Sequence, residues 1–319
     1  MKQLNFWSKK YYRRAIQLFG SRFYINPDRA LHRSILVTGT ARSGTTWLAD
    51  LIASQINCRI MFEPFNPELV KEYSRFHYFQ YMRPEGEDQE LHAFACKVFT
   101  GEIRNYWVDR QNENIISKYR LIKEIRANLL LKWLHMQFPE VPKIFLLRHP
   151  CAVVLSRMQL GWDTDRDIEP FLSQPELVND HLGDHLDLIR SAKTDEEKHA
   201  IIWCVTNLIP LMQFKPGELK IVYYENLCVQ PEIEVPRIFE SIGHAYNDAL
   251  TERIDRPSQT TRVTSAVVTG SNKISHWKEA LSPLQIERIL RIVHAFGLDK
   301  LYGDSLLPVK SGSEKHISL

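Results

Sequence analysis

The chain lacks the features that mark several large classes of protein. It has five cysteines among 319 residues and no Cys-x-x-Cys pair, so the sequence predicts neither a zinc site nor a disulfide framework. No run of eighteen or more apolar residues occurs, which argues against a membrane-spanning helix. The 41 basic and 38 acidic residues leave a net charge of +3, which is too balanced to indicate nucleic-acid binding. The odd number of widely spread cysteines indicates a reducing compartment. A hydrophobic content of 44% is ordinary for a globular protein.

The two ends of the chain differ in composition from its middle. Residues 1–30 read as a basic amphipathic segment without the continuous apolar stretch of a signal peptide, so we expect a cytoplasmic protein. This segment either packs on its own domain or rests on an anionic membrane surface, which would make the protein membrane-peripheral. Residues 306–319 hold too few apolar side chains to pack, and a flexible tail is predicted there.

A glycine-containing loop lacks the lysine that nucleoside triphosphatases require. Residues 39–47 read Gly-Thr-Ala-Arg-Ser-Gly-Thr-Thr-Trp and follow an apolar run that is typical of a buried strand. The loop precedes apolar residues at helical spacing, so its backbone N–H groups and the helix N-terminus suit a bound phosphate. A triphosphatase places Lys after the second glycine, where this chain has Thr45, and the cation of the loop is Arg42.

Strand-like and helical segments alternate along the chain, which predicts an α/β fold with a mainly parallel sheet between helical layers. Further strands are predicted at 94–99, 119–123, 143–147 and 219–224, and helices at 128–138, 150–158, 196–209 and 283–296. Pro210 is expected to stop the third of these helices, and Ser282 with Gln285 predicts a capping box at the last. The acidic stretch 161–197 is interpreted as a lid-like insertion in one domain over residues 31–305.

Arg148 stands at the carboxyl end of a predicted buried strand, and Ser156 follows eight residues later on the next helix. An arginine fork with a hydroxyl at this edge of a parallel sheet suits a phosphate monoester. This pair, the loop at 39–47 and the segment Tyr223-Tyr224-Glu225-Asn226-Leu227 resemble three motifs of the sulfotransferases that use 3′-phosphoadenosine 5′-phosphosulfate (PAPS). The resemblance covers about residues 35–301 and implies a three-layer sandwich of the P-loop nucleoside triphosphatase type.

The resemblance also implies which residues bind PAPS. It assigns the phosphosulfate to the loop residues Arg42, Ser43, Gly44, Thr45 and Thr46. It assigns the adenine to Trp47 and Tyr224, and the 3′-phosphate to Arg148 and Ser156. A late segment, with Ser271, Asn272 and Lys273 before a Trp-Lys pair, resembles the last cofactor loop of the family. No metal cofactor is expected, because sulfuryl transfer needs none and no metal-ligand spacing occurs.

The choice of general base rests on a second resemblance. The cytosolic small-molecule branch of the family uses a His in a Lys-x-His segment, and the matching residues here are Lys123-Glu124-Ile125, so that histidine is missing. Residues 61–65, Met-Phe-Glu-Pro-Phe, resemble the Phe-Glu-Pro segment of carbohydrate and Golgi-type members, in which Glu is the base. We therefore predict Glu63 as the base, with a proton affinity raised by its apolar flank. Arg42 and Lys123 are predicted to act with it, Lys123 together with Arg126 on the sulfuryl oxygens or the acceptor.

The hypothesis from the sequence is a sulfotransferase that moves a sulfuryl group by in-line displacement to a saccharide or glycolipid hydroxyl. Tyrosyl peptides, lipids and small alcohols stay open as acceptors, and the aromatic residues between 65 and 83 either contact sugar rings or pack in the core. One alternative is a P-loop kinase that uses a nucleoside triphosphate, against which the absent lysine argues. The other is a non-catalytic protein that binds a nucleotide or carbohydrate.

Overall fold

The computed structural model of the protein describes residues 24–112, 114–247, 250 and 273–309. Within this part, five strands form a parallel sheet with the order β2-β3-β1-β4-β5. The strands are β1 (Ser34–Gly39), β2 (Cys58–Phe62), β3 (Tyr119–Lys123), β4 (Lys143–Leu147) and β5 (Lys220–Tyr223). The central position of β1 places the loop at 39–47 in the middle of the carboxyl edge of the sheet.

Helices connect the strands and cover the sheet. The first six are α1 (Thr45–Ala53), α2 (Gln89–Phe99), α3 (Leu131–Gln137), α4 (Pro150–Met158), α5 (Thr164–Leu172) and α6 (Pro175–Leu177). The others are α7 (Leu186–Ser191), α8 (Asp195–Gln213), α9 (Tyr224–Val229), α10 (Pro231–Ser241), α11 (His276–Ala280) and α12 (Pro283–Ala295). The predicted capping box is confirmed, because Ser282 Oγ accepts a hydrogen bond from the Gln285 N–H and the Gln285 side chain accepts one from the Ser282 N–H.

The sheet separates two apolar layers, because successive side chains of a strand point to opposite faces. In β4, Ile144 and Leu146 pack with α1 and α10, whereas Phe145 and Leu147 pack with α3, α4, α8 and α12. All four side chains are fully buried. Residues 144–147 of β4 therefore form a continuous apolar run, as a sheet covered on both faces requires. The predicted three-layer α/β sandwich is confirmed.

The prediction of a strand at 94–99 is wrong, since these residues belong to α2. Asp88 caps this helix by accepting hydrogen bonds from the N–H groups of Glu90 and Leu91. The buried side chains Leu91, Phe94, Ala95, Val98 and Phe99 recur at helical spacing and face the core. Taken alone, residues 94–99 look like a short buried strand, because the capping Asp88 and the first turn of the helix lie upstream of them.

The expected stop at Pro210 is also wrong, because α8 continues to Gln213. A proline inside a helix has no N–H for the carbonyl four residues earlier, which here belongs to Thr206. The side chain of Asn128 supplies the missing donor, with Asn128 Nδ2 3.0 Å from the Thr206 carbonyl oxygen. A contact between residues 78 positions apart in sequence thus satisfies the carbonyl that the proline leaves without a donor.

Strand β2 was not predicted from the sequence, and it carries the candidate base at its end. It contains Arg59, which is fully buried and interrupts the apolar pattern. No described helix is both long enough and apolar enough to span a bilayer.

Candidate active site

A cavity of about 810 Å³ lies at the carboxyl edge of the sheet. Twelve residues that the sequence predicts for the site line it: Arg42, Gly44, Thr45, Thr46, Trp47, Glu63, Lys123, Arg126, Arg148, Ser156, Tyr224 and Lys273. We call the part around residues 39–47, Arg148, Ser156 and Tyr224 the loop end. The part around Glu63, Lys123 and Arg126 is the carboxylate end. The sheet therefore brings the two predicted halves of the site into one cavity.

The loop at 39–47 has a strained backbone at its only cation. Arg42 has φ 77°, a left-handed conformation that L side chains rarely adopt, and Gly44, the N-cap of α1, has φ 101°. A Cβ on Gly44 would lie 2.8 Å from Cδ2 of Tyr224, so glycine is required there for space as well as for conformation. The loop is thus fixed in shape by its contact with the tyrosine of the third motif.

Two arginines converge on this loop. Arg42 Nε donates a hydrogen bond to Ser156 Oγ at 3.0 Å, and Arg148 Nη1 donates to the Arg42 carbonyl oxygen at 3.2 Å. Arg148 also donates to the Lys273 carbonyl oxygen at 3.4 Å, and its guanidinium lies 4.2 Å from the ring centre of Tyr224. The fold therefore brings Arg148 and Ser156 together with Arg42.

Buried polar atoms without partners show that the loop end fits an anionic ligand. Within the described part of the chain, Ser43 Oγ and Arg148 Nε are buried and make no hydrogen bond. Such groups are costly to leave unpaired. Arg148 lines the cavity, so a phosphate oxygen there would accept a hydrogen bond from its Nε, whereas Ser43 does not line the cavity. With the glycine at the N-terminus of α1, Arg148 matches the chemistry of a ligand that carries a phosphate group.

Aromatic side chains close the loop end. Trp47 meets Tyr224 edge to face, with ring centres 5.3 Å apart, and Trp47 is partly exposed to the cavity. Trp277, which the sequence placed in a Trp-Lys pair, is buried and stacks on His149 with ring centres 4.3 Å apart. Its Nε1 makes no hydrogen bond to any described residue. Lys273 and His276 line the same wall, whereas Ser271 and Asn272 lie outside the described residues.

At the carboxylate end, Glu63 is held by two cations. Lys123 Nζ lies 2.5 Å from Glu63 Oε1, and Arg126 Nη1 lies 2.6 Å from Oε2, while Arg126 Nη2 donates to the Tyr78 hydroxyl. The strand register causes this meeting, because Phe62 pairs with Lys123 and the Glu63 N–H donates to the Lys123 carbonyl oxygen. Glu63 has φ 47°, the second left-handed residue other than glycine in the described chain. Strain of this kind is concentrated at functional sites.

The expectation that the apolar flank raises the proton affinity of Glu63 is wrong. Burial alone acts in that direction, but the charges of Lys123 and Arg126 outweigh it and lower the pKa of Glu63 to about 2. The side chain is 5% exposed, so these two charges act with little screening. Glu63 is therefore a carboxylate at any pH near neutrality.

Glu124 has a supporting place in the structure. Its carboxylate accepts hydrogen bonds from the backbone N–H groups of Phe65, Ile125 and Arg126. It is fully buried and does not line the cavity. Glu124 thus ties the turn after Glu63 to the turn that carries Arg126, and it positions both partners of the ion pair.

Two residues of the carboxylate end were missed from the sequence. Trp107 and Arg110 line the cavity, and Trp107 Nε1 donates to the Glu63 carbonyl oxygen at 3.2 Å. The guanidinium of Arg110 lies 3.7 Å from the ring centre of Phe62 and 3.8 Å from that of Trp107. No motif surrounds them in the sequence, and the aromatic-to-basic spacing Trp-x-x-Arg is too common to serve as a signal.

The segment with Trp107 and Arg110 is anchored by a buried ion pair. Arg59 on β2 makes two hydrogen bonds to Asp109, of 2.7 and 3.0 Å, and donates to the carbonyl oxygens of Gly101 and Ile103. The Phe62 N–H also donates to the Val108 carbonyl oxygen. Arg59, which interrupts the apolar pattern of β2, therefore fixes this wall of the cavity.

The stretch 161–197 is helical and supplies the remaining wall. Arg157 at the end of α4 is buried, pairs with Asp167 on α5 and donates to His199 Nδ1 on α8. Burial, and then the charge of Arg157, lower the pKa of His199 to about 3, so His199 stays neutral. Trp162 and Arg166 of this stretch line the cavity. The insertion is therefore packed on the domain through α4 and α8.

The aromatic residues after Glu63 pack mostly in the core. Tyr73, Phe79 and Tyr81 are buried, and Tyr73 packs against Phe94 of α2 with ring centres 4.8 Å apart. Of the aromatic residues between 73 and 81, Tyr78 lines the cavity through its contact with Arg126. The described residues include no group of three or more His, Cys, Asp or Glu side chains that could hold a metal ion.

The fold and this cavity define a parallel α/β protein in which the glycine-containing loop at 39–47 and the buried carboxylate of Glu63 line one cavity. The Sulfotransferase family model matches residues 34–248, more than half of the chain. The protein therefore belongs to the sulfotransferase family.

Individual relatives are distant. The chain is 28% identical over 218 residues to nodulation protein NoeE of Sinorhizobium fredii, a match that covers 65% of this chain. It spans about half (49%) of the length of that relative. Among solved structures, a sulfotransferase domain of the curacin biosynthetic pathway has a TM-score of 0.46 at 16% identity, over 86% of this chain and 98% of that one. Mouse sulfotransferase SULT7A1 complexed with PAP has a TM-score of 0.41 at 13% identity, over 90% of this chain and 89% of that one.

Proposed function

We propose that the protein transfers a sulfuryl group from PAPS to a hydroxyl of a saccharide or glycolipid. The observation that carries this proposal is the single cavity that joins the phosphate-binding loop to the buried carboxylate of Glu63. The family supplies the reaction type, and Arg148, which lines the cavity and whose Nε has no partner among the described residues, supports a ligand with phosphate groups at the loop end.

The residues of the loop end would hold the donor. Arg148 and Ser156 are proposed for the 3′-phosphate, and the N–H groups and hydroxyls of residues 43–46 for the 5′-phosphate. When bound, PAPS supplies the sulfuryl group: the acceptor oxygen bonds to sulfur in line as the bond from sulfur to the 5′-phosphate breaks, and the acceptor proton passes to Glu63. Arg42 would balance the charge that grows on the 5′-phosphate.

Glu63 must gain proton affinity to act as the base. Lys123 bonds to Glu63 and reaches the cavity, so a second anion in the cavity would compete with Glu63 for this ammonium group. Loss of one of its two cations would raise the pKa of Glu63 toward that of an ordinary glutamate. We therefore propose that Lys123 is shared between Glu63 and the transferred group, and that Arg126 keeps the carboxylate oriented.

The experiment that tests this function is a thermal-shift titration with adenosine 3′,5′-bisphosphate (PAP), ATP with Mg²⁺, and 5′-AMP. Wild type should be stabilised selectively by PAP, and Arg148→Ala should lose that stabilisation, because a ligand that binds the folded state raises its stability by an amount that increases with the logarithm of its affinity. Transfer of label from [³⁵S]PAPS to a panel of saccharides and glycolipids then tests turnover. A preference for ATP would return the loop to the nucleoside triphosphate enzymes, and PAP binding without turnover of any acceptor would favour a binding protein.

A further inference from the structure

The peptide unit between Arg148 and His149 is held by two buried side chains. Trp203 on α8 donates a hydrogen bond from Nε1 to the Arg148 carbonyl oxygen at 3.0 Å. The His149 N–H, the other polar group of the same unit, donates to Oε1 of Glu225 on α9 at 2.9 Å. Trp203 and Glu225 are both buried, and neither lines the cavity. The orientation of this peptide unit is therefore set from outside the cavity.

The position of this unit in the fold makes its orientation important for Arg148. It lies where β4 has ended at Leu147 and α4 has yet to begin at Pro150. Because a peptide unit is planar, bonds to its carbonyl oxygen and to its N–H together fix the rotation of the whole plane. That rotation is the ψ angle of Arg148. The two buried side chains thus fix the backbone from which the arginine side chain projects.

Glu225 is itself fixed by Tyr302, in the segment that follows α12. The Tyr302 hydroxyl donates to Glu225 Oε2 at 2.7 Å, so both carboxylate oxygens accept hydrogen bonds. Burial, and then the charge of Glu225, raise the pKa of Tyr302 well above its usual value, which keeps the hydroxyl a donor. His149 Nε2 also lies 3.0 Å from the Gly303 carbonyl oxygen. The segment after α12 therefore packs behind the end of β4 that carries Arg148.

The chain around Glu225 also contacts the Arg148 guanidinium. Tyr224, the residue before Glu225, has its ring centre 4.2 Å from the guanidinium carbon. Arg148 Nε is buried and has no partner among the described residues. The strength of a hydrogen bond from such a donor depends steeply on its direction. A donor that is already ordered also loses less freedom when it binds a ligand. Small changes in the backbone of Arg148 should therefore weaken its contact with a phosphate.

We propose that Glu225 and Tyr302 are positioning residues for the donor, which hold the peptide unit after Arg148 in the orientation that lets this arginine bind the 3′-phosphate. This role rests on the proposed function, in which Arg148 contacts that phosphate. Neither Glu225 nor Tyr302 lines the cavity, so their effect on binding passes through Arg148. A change at either residue should reduce the preference for ligands that carry a 3′-phosphate.

The test compares PAP with 5′-AMP, because the two ligands differ only in the 3′-phosphate. Both are titrated calorimetrically into wild type, Tyr302→Phe and Glu225→Gln. Tyr302→Phe removes one hydroxyl, and Glu225→Gln leaves one acceptor oxygen for two donors. Each variant should bind PAP about 3 to 10-fold more weakly than wild type, the effect of one lost hydrogen bond. Each should bind 5′-AMP as wild type does, because that ligand does not use the 3′-phosphate site.

A combination with Arg148→Ala separates positioning from a general loosening of the fold. In the Arg148→Ala variant, the additional change Tyr302→Phe should not weaken PAP binding further, because the residue through which it acts is gone. Tyr81→Phe is the matched control, since buried Tyr81 donates to the Asp180 carboxylate at 2.9 Å and does not line the cavity. It should bind both ligands as wild type does. Urea unfolding checks that each variant is folded, and Glu225→Gln carries the test if Tyr302→Phe is not.

Three results would overturn the positioning role. They are wild-type PAP binding by both variants, an equal weakening of PAP and 5′-AMP, and an undiminished effect of Tyr302→Phe in the Arg148→Ala variant. In each case wild type would still prefer PAP to 5′-AMP, and the proposed function would stand. Equal binding of PAP and 5′-AMP by wild type would instead overturn the proposed 3′-phosphate site, and the positioning role with it.

Discussion

The loop end and the carboxylate end of the cavity are built by different means. The loop end is centred on one contiguous segment, residues 39–47, in which Gly44 lies against Tyr224 and Arg42 donates to Ser156. The carboxylate end consists of side chains from β2, β3 and the segment around Trp107, joined by the ion pairs of Glu63 and Arg59. PAP binding at the loop end should therefore be sensitive to changes of the backbone, and the carboxylate end should be sensitive to changes of charge.

The largest effect is expected at the carboxylate end. Glu63→Gln keeps the size of the side chain and removes the proposed base, so transfer from [³⁵S]PAPS should fall about 10² to 10⁴-fold. The variant should still bind PAP, because Glu63 makes no contact with the loop at 39–47 among its described hydrogen bonds. Retained PAP binding also shows that the variant is folded, and transfer at the wild-type rate would remove Glu63 from the mechanism.

A backbone change should break the loop end. Gly44→Ala places a Cβ 2.8 Å from the Tyr224 ring at a φ of 101°, so we expect a loss of about 1–3 kcal/mol in the free energy of unfolding and weaker PAP binding. Gly217→Ala is the matched control, because Gly217 has φ 81° and no atom within 4 Å of the added carbon. Urea unfolding and calorimetry measure both. Equal PAP affinity in wild type and Gly44→Ala would contradict this account of the loop.

The pH dependence of stability should report the charges on Glu63. Its pKa of about 2 in the folded state lies below about 4.3, the value of an unperturbed glutamate, so its stabilising contribution is present above pH 4.3 and is lost as pH falls toward 2. The contribution corresponds to about 3 kcal/mol in wild type. Lys123→Met should make this contribution smaller, since one of the two cations is gone, and the fall in stability between pH 5 and 3 should be shallower.

Urea unfolding at pH 5, 4 and 3 checks this prediction. Lys278→Met is a suitable control, because Lys278 is exposed and pairs with the exposed Asp304. An identical pH dependence in wild type and Lys123→Met would show that Lys123 does not set the charge state of Glu63.

The smallest effect concerns the strained arginine. Because Arg42 has φ 77°, Arg42→Gly should be more stable than Arg42→Ala by about 1 kcal/mol, the cost of a left-handed conformation with a Cβ. Both variants lack the guanidinium and should bind PAP more weakly than wild type. Thermal unfolding of the pair measures the difference, and equal stability would mean that the loop relaxes without the arginine side chain.

The two ends also differ in how far the sequence predicts them. The loop end could be read from local motifs, because Gly39, Gly44 and the strand-helix boundary lie within one short segment. Lys123 and Glu63 could be proposed from a resemblance, but their charge coupling depends on the register of β2 and β3, which no local pattern encodes. The sign of the Glu63 pKa shift was therefore predicted wrongly.

Trp107 and Arg110 show the limit most clearly. Their place depends on the Arg59–Asp109 ion pair, whose partners are 50 residues apart. Arg59 belongs to β2, a strand that was not predicted from the sequence. Elsewhere, α8 passes through Pro210 because Asn128 replaces the lost donor, again through a long-range contact. Local periodicity predicts helices and strands. Long-range contacts decide where a helix continues past a proline and which side chains form the cavity wall.

The most direct test of the central claim is calorimetric titration of PAP and of ATP with Mg²⁺ into wild type, Arg148→Ala and Glu63→Gln in one buffer. Substitutions at the two ends should have different effects on PAP affinity. Arg148→Ala should weaken PAP binding about 10 to 100-fold, as expected for a lost charged hydrogen bond, whereas Glu63→Gln should bind PAP as wild type does. Tighter binding of ATP than of PAP by wild type, or wild-type PAP affinity in Arg148→Ala, would contradict a PAPS site at the loop end.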